Sequence, residues 1–396
     1  MKIFNSLGSN YGGAQIWQAL FGSGRQSRVK LRSYLIEKYK ARDVVLTYKG
    51  REALQLALKA AKLPVGSAVA INGFTCYAVY RAVDFAGLSV EYLDIAPSHL
   101  HFTATTLEKA VVSNKQIKAV IVQNTLGIPC DMKEIEKVCD RYKLVLIEDL
   151  AHSVGSHYAD GREAGTVGDF AMLSFGRDKL VDAVSGGALI INNPKFVDST
   201  EIVLSKAPRT AVARDRLYPL LTAIVRAGYS IGIGKFLHAG LKAIGLLSKS
   251  VDADYYEGHD IPAWQAAMVL RQLRGLSSEI RRRRNLAKLY HENLCQDALS
   301  EACASYATSA SGLRFPSVSN QRDQLLSRLT MEGINITDIW YDVPVAPARY
   351  LKKTTYRHQC PVAEKVCQQI INLPTHRHIK PEDVKKIAEA INQCQP

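Results

Sequence analysis

No run in the chain reaches the roughly 18 uncharged apolar residues that a membrane-spanning helix requires, so none is expected. Acidic side chains are in short supply: 37 Asp and Glu against 51 Lys and Arg leave a formal charge of +14 over 396 residues. None of the eight cysteines (76, 130, 139, 295, 303, 360, 367 and 394) forms a CxxC pair. That scatter excludes a disulfide framework and a zinc site, so no metal is expected; it reads as the reduced thiols of a cytoplasmic protein. Zinc-finger spacing, an RNP motif and a basic region with heptads are all missing, which argues against a nucleic-acid partner. The opening MKIFNSLGSNYGG lacks the apolar stretch of a signal peptide. No internal repeat or low-complexity tract occurs, and 47% apolar with 22% charged residues excludes global disorder.

The basic excess is local. Residues 24–51 hold nine basic and two acidic side chains, 206–249 eight and one, and 271–284 six and one. These stretches exceed the whole net charge and point to an anionic partner, either a phosphate-bearing ligand or a membrane surface.

From 44 to 193, short apolar runs alternate with amphipathic segments. The runs are VVLTY (44–48), AVAI (68–71), SVEYLDI (89–95), KAVIVQN (118–124), KLVLIED (143–149), FAMLSF (170–175) and GALIINN (187–193). Rich in Val, Ile and aromatics and bounded by Gly, Pro, Asn or Asp, they predict seven strands. Segments such as Glu52–Lys62 and Met132–Tyr142 space their apolar residues by three and four, as helices do. Strands buried on both faces with helices between them predict an α/β fold with a mainly parallel sheet, whose ligands sit at the strands' carboxyl ends. The last two runs are joined by SFGRDKLVDAVSGG, too short for a crossover helix, so one of them is expected to run antiparallel.

Residues 205–255 break the rhythm. This stretch is apolar and Gly-rich, and Lys235, Lys242 and Lys249, spaced by seven, share one helical face. The pattern fits an interfacial helix making a peripheral membrane contact, and equally helices that cover the core or a dimer seam. A long helical pattern starts at 263, and Arg281–Arg284 within it read as a solvated or subunit-facing basic turn. The division expected is a large domain over 1–255, including this insertion, and a smaller C-terminal α/β domain over 256–396 with helices at Arg322–Glu332 and Pro381–Asn392.

Four residues between 145 and 190 suit one cofactor. Asp149 ends a strand, where a partly desolvated carboxylate needs a cation; a protonated pyridine nitrogen would serve, and the ring would then act as an electron sink. His152 follows three residues later. Ser174 ends another strand, placed for phosphate. Lys179 lies in the next loop, where a half-buried amine loses its proton readily and attacks a carbonyl. Each residue alone has a bland reading, as an N-cap, a packing histidine or a surface group; order and spacing together do not.

The block IEDLAHSVGSHYADGREAGTVGDFAMLSFGRDKLVDAVSGGALIINN resembles the centre of the DegT/DnrJ/EryC1/StrS family of pyridoxal-phosphate sugar aminotransferases, which have the aspartate-aminotransferase fold (fold type I). NTLGIPCDMKEIEKVCDRYKL, AWQAAMVLRQL and INLPTHRHIKPEDVKKIAEAI resemble flanking parts of that family, so the likeness covers most of the chain. It implies pyridoxal 5'-phosphate (PLP, alternating with its amine form PMP) as cofactor. It also implies an amino donor such as glutamate, a nucleotide-sugar acceptor, a role in amino-sugar or cell-surface polysaccharide biosynthesis, and a homodimer. By the same likeness Lys179 is the catalytic Schiff-base lysine, Asp149 faces the ring nitrogen and His152 contacts the ring hydroxyl oxygen. Ser174 and the backbone at Gly50, Arg51 and Glu52 hold the phosphate, the last because helix N-termini bind anions. Tyr77, Arg177 and Tyr341 are expected on the substrate side.

Three departures stand out. Lys49-Gly50-Arg51 replaces the family's Ser-Gly-Thr; Cys76, beside Tyr77, takes the place of an aromatic that stacks on the cofactor; and Gly258-His259-Asp260 replaces an Asn-x-Arg that reaches the neighbouring subunit's phosphate. Two further readings therefore stay open: a non-catalytic or regulatory protein on the same fold, free or bound at a membrane, and a PLP-dependent sugar dehydratase. A lysine at 179 argues against the dehydratase branch, which carries histidine there.

Overall fold

The computed structural model describes residues 3–4, 6–22, 24, 26–200, 203–247, 258–295, 300–305, 308–336 and 339–393. Its centre is one sheet of seven strands: β1 (Asp43–Thr47), β2 (Ala68–Asn72), β3 (Ser89–Leu93), β4 (Ile117–Gln123), β5 (Val145–Asp149), β6 (Phe170–Ser174) and β7 (Gly187–Ile191). All seven coincide with the apolar runs. Their order across the sheet is β1-β7-β6-β5-β4-β2-β3, and only β7 runs against its neighbours, β1 and β6. The short loop between β6 and β7 leaves no other direction open.

Helices Gly50–Ala60, Tyr77–Phe85, Ala104–Ser113 and Met132–Tyr142 make the crossovers. The first starts two residues before the Glu52 expected. Glu52 Oε2 accepts the backbone N–H groups of Tyr48 and Lys49, both at 3.1 Å, and so fastens the helix start. This is the reciprocal capping that an acidic third residue allows.

Alternate residues of each strand feed two separate cores, as a period of two requires. Val69, Ile71, Ile121, Ile147, Met172 and Leu189 belong to one, which continues into the C-terminal part through Phe315, Ile371 and Leu373. Ala70, Val120, Val122, Leu146, Leu173 and Ile190 belong to the other, with Leu31, Leu35, Met268 and Leu273. The helix Ala263–Arg274, assigned from sequence to the smaller domain, thus packs with Ser27–Tyr39 beneath the large sheet. Strand Arg314–Val318 pairs antiparallel with Ile370–Pro374 to form the small C-terminal sheet, helix Pro381–Asn392 lies beside it, and Ile3–Phe4 joins Ile334–Asn335 in a parallel pair.

The long helical pattern from 263 is two helices, Ala263–Arg274 and Leu276–Asn293, parted at Gly275. The reading of Arg281–Arg284 as a solvated or subunit-facing turn is corrected here. Arg283 is buried and donates to the carbonyl of Leu313 and to Asn10 Oδ1; Arg282 donates to the carbonyl of Thr375; Arg284 donates to that of Ala310. Only Arg281 is exposed. These side chains satisfy carbonyls at the ends of the small sheet, which sequence spacing alone does not reveal.

The insertion forms two helices, Arg209–Ser230 and Gly234–Ala243. The first turns Ala211, Asp215, Tyr218, Thr222 and Val225 inward and covers the core. Lys235 and Lys242 are exposed; Lys249 lies outside the described residues. Among the described residues no helix is long and apolar enough to cross a membrane, seven cysteines are free thiols, and no His/Cys/Asp/Glu cluster could hold a metal.

Candidate active site

Gln123, Asp149 and Ser174 end three neighbouring parallel strands, and Gln123 and Asp149 are direct partners in register. The two acids that close β5 point to opposite faces. Glu148 is fully buried and ties down the following loop, accepting the N–H groups of Gly165 (2.7 Å), Val167 (2.8 Å) and Gly168 (2.6 Å) and the hydroxyl of Tyr158 (2.7 Å). Asp149 faces the site. Its Oδ1 accepts the N–H of Ala151 at 2.9 Å. Burial pushes its carboxyl up to about 6, while the Ala151 N–H and the Lys179 charge pull it back.

Lys179 stands across from this carboxylate. Burial lowers its ammonium pKa, opposed by Cys76 and Asp149, so the fold makes the amine easier to deprotonate. Its Nζ lies 4.7 Å from the centre of the Trp340 ring. The loop carrying it is fastened by the N-terminal segment, because Asn10 Nδ2 donates to the Lys179 carbonyl (3.0 Å) and to Asp182 (3.2 Å).

His152 is buried and held neutral, its pKa pushed well down by desolvation and by the charges of Lys179 and Arg314. Its Nδ1 accepts the N–H of Leu126 at 3.1 Å and lies 3.3 Å from the hydroxyl of Tyr341. With Nδ1 accepting, the ring proton belongs on Nε2, which is then a donor. Gln123 Nε2 donates to the Tyr341 hydroxyl at 3.4 Å, making a polar chain from β4 to the imidazole. Tyr341, expected on the substrate side, is thus brought beside His152.

Ser174 meets the start of the helix Gly50–Ala60. A Cβ built on Gly50 would stand 2.8 Å from Ser174 Cβ, and one on Gly187 would stand 2.6 Å from Gly50 Cα. The helix start and the end of β6 therefore pack backbone against side chain at close range, and a helix N-terminus beside a hydroxyl is the usual means of receiving a phosphate. Gly186, at φ +116°, makes the turn that brings β7 alongside.

Of the other expected residues, Cys76 lies within electrostatic reach of Lys179 and Tyr341, and the rest are engaged with partners of their own. Cys76 caps helix Tyr77–Phe85 through its Sγ and pairs with Ala346. Tyr77 stacks on Tyr350, centroids 4.5 Å apart. Arg177 turns to Asp215 at 3.2 Å and lies over the Tyr218 ring, and Arg51 is buried beside Lys49. His259 and Asp260, where the family has Asn-x-Arg, are engaged within their own chain. His259 Nδ1 meets Glu52 Oε1 at 2.8 Å, and Asp260 pairs with Arg28.

Trp340 and Arg314 were not foreseen. Trp340 stacks on His152 (4.9 Å, 21°), carries the Arg314 guanidinium 3.8 Å above its ring, and donates its backbone N–H to Asn372 Oδ1 at 2.6 Å. Both come from the C-terminal part, so the site is closed between the ends of the large sheet's strands and the small sheet. An aromatic next to Tyr341 was the one available signal.

The DegT/DnrJ/EryC1/StrS aminotransferase family matches residues 22–231 and 256–392. The chain is 30% identical to EpsN of Bacillus subtilis (strain 168) over 182 residues, 45% of this chain and 47% of that protein, so it spans about half of that relative. It is 25% identical to the UDP-N-acetyl-3-dehydro-alpha-D-glucosamine 3-aminotransferase of Acidithiobacillus ferrooxidans over 346 residues, 87% of this chain and 82% of that one. Spr1654 of Streptococcus pneumoniae, solved in its PLP form, shares the fold with a TM-score of 0.74 at 17% identity, covering 99% of this chain and 98% of that one.

Proposed function

Because this chain belongs to the DegT/DnrJ/EryC1/StrS aminotransferase family, we propose that it uses PLP to move an amino group from glutamate to a keto group of a nucleotide-linked sugar, in amino-sugar or cell-surface polysaccharide biosynthesis. One observation carries the reading: a buried carboxylate, a half-buried amine and a neutral histidine converge at the strand ends of an aminotransferase-family fold. The relative that acts on a UDP-sugar supports the acceptor class. The homodimer and a cytoplasmic location rest on the family likeness and on the free thiols.

The residues fit the cofactor. Asp149 is a buried anion suited to a pyridinium, the helix start at Gly50 stands against the Ser174 end of β6 as a phosphate site requires, and His152 Nε2 is a donor suited to the ring oxygen. When bound, PLP supplies an aldehyde that condenses with amines and a ring that withdraws electrons from the substrate carbon. Lys179 Nζ would hold and move the proton at the reacting carbon; burial lowers its ammonium pKa, against the neighbouring Asp149, and so makes the amine easier to deprotonate. Asp149 would keep the ring nitrogen of the bound cofactor protonated, and Trp340 and Tyr341 stand beside His152 as walls of the site.

The purified protein is expected to absorb in the violet, and glutamate should bleach that band. Keto-nucleotide-sugars incubated with glutamate should then gain an amino group by mass spectrometry. A coloured protein that glutamate leaves unchanged would instead favour the non-catalytic reading.

For the insertion we propose peripheral contact with an anionic bilayer. Ile231, Phe236 and Ile244 are 73%, 80% and 69% exposed, with exposed Lys235 and Lys242 alongside, and no acidic residue occurs from 216 to 247. Apolar insertion flanked by lysine is the charge-complementary pattern for such a surface. The protein should float with vesicles containing phosphatidylglycerol at low salt, and Phe236→Glu should abolish this. No flotation, or a hairpin protected only by self-association, overturns the contact.

A further inference from the structure

Close in sequence to Gly50 and Ser174 lies a buried polar cluster in which only Arg177 had an expected role, on the substrate side. Tyr48 is fully buried, Lys49 is 7% exposed and Asp215 1%. Asp215 is the meeting point. Its Oδ2 accepts the Tyr48 hydroxyl at 2.6 Å and lies 3.9 Å from Lys49 Nζ; its Oδ1 lies 3.2 Å from Arg177 Nη2. The carboxylate comes from helix Arg209–Ser230, in the insertion, while the two cations flank the cradle in sequence: Lys49 precedes Gly50, and Arg177 follows Ser174 by three.

Burying Lys49 here is costly, whereas Arg177, though burial opposes it, has its pKa raised by Tyr218 and Asp215. Burial lowers the Lys49 ammonium to about 8, Asp215 opposes the shift, and Arg177 and Arg51 add to it by repulsion. The N-terminus of helix Gly50–Ala60 adds its own positive end to the same place. Where a fold needs only cohesion, apolar side chains serve as well as a buried ion pair or better. Two cations gathered on one carboxylate, each close in sequence to the Gly50 helix start or to the Ser174 strand end, are explained by an anion held there.

We propose that Lys49 and Arg177 form a cation clamp for the phosphate end of the cofactor, with Asp215 of the insertion helix as their shared counter-ion, so that this end of the site is built within one chain. The inference rests on the cofactor reading and deepens it: Lys49 gains a role, and Arg177 moves from the substrate side to the cofactor side. A nucleotide-sugar diphosphate is the other source of phosphate. The burial of Lys49 beneath the insertion helix and its adjacency to Gly50 favour the small terminal group.

The test compares PLP with pyridoxal, which lacks the phosphate, as ligands of the full-length protein freed of cofactor. Wild-type protein should bind PLP far more tightly. In Lys49→Met and Arg177→Met this preference should fall by about tenfold or more, the scale of one lost charge-assisted hydrogen bond, while pyridoxal affinity stays unchanged. Constant pyridoxal affinity also reports an intact fold, and two variants guard against one that misfolds. If both variants keep the wild-type preference, the clamp is refuted. If they keep it but lose affinity for UDP in the PLP-loaded protein, the cations serve the substrate and the cofactor assignment falls. If wild-type protein binds neither PLP nor pyridoxal, the cofactor reading itself fails, and the clamp with it.

Discussion

Lys179→Ala is expected to lower amino transfer by at least the 10²–10⁴-fold typical of a lost general acid–base group, and to leave the fold intact. The structure separates these effects. The loop is held by main-chain bonds, from Asn10 Nδ2 to the Lys179 carbonyl and from the Lys179 N–H to the Gly176 carbonyl at 3.3 Å, and the amine takes no part in them. The amine is the side chain's expensive part, since burial disfavours its charged form. Cutting it away should leave the melting temperature of the cofactor-free protein equal or higher. Coupled turnover assays and thermal melts on the same preparation decide it; a variant with wild-type turnover would remove Lys179 from the chemistry.

Asp149→Asn is expected to act in opposite directions on stability and on catalysis. The carboxyl titrates at about 6 in the folded protein against an ordinary value of 3.8. A raised carboxyl pKa means the folded state holds the proton more tightly than the unfolded chain. The cofactor-free protein therefore loses stability as pH climbs from about 4 to about 6, by roughly 3 kcal/mol once the group is fully ionised. Asparagine has nothing to ionise. At pH 8 the cofactor-free variant should melt above wild type, and the difference should vanish near pH 4. Catalysis should fall by about 10²–10³-fold, as when one preorganised electrostatic partner is removed, because nothing then keeps the ring nitrogen protonated. A cofactor-free variant that melts below wild type at pH 8 would mean that Asp149 is a structural anchor.

The sheet was legible because its strands are buried on both faces: VLIED or GALII reads as strand without reference to any partner, and the short β6–β7 loop announced the reversed direction. The residues from 145 to 187 were legible because they lie on one continuous stretch, where spacing is evidence. Trp340 and Arg314 were not, since they arrive from more than 130 positions away and only packing brings them to His152. Asp215 was hidden for a related reason. In an apolar, basic segment a single acid looks incidental until the helix turns it inward onto Tyr48, Lys49 and Arg177. Arg282–Arg284 misled because a run of charge is ordinarily solvated, and sequence gives no view of the carbonyls waiting at the strand ends.

The back-to-back carboxylates that close β5 also bear on how this gene can change. Glu148 secures a loop on one side and Asp149 serves chemistry on the other. Dropping or adding one codon in that strand would exchange their faces, moving the loop fastener into the reaction chamber and the reactive acid into the wall. A single added residue could be absorbed without that exchange only by a bulge, such as the register shift this sheet carries at Ala68/Val69.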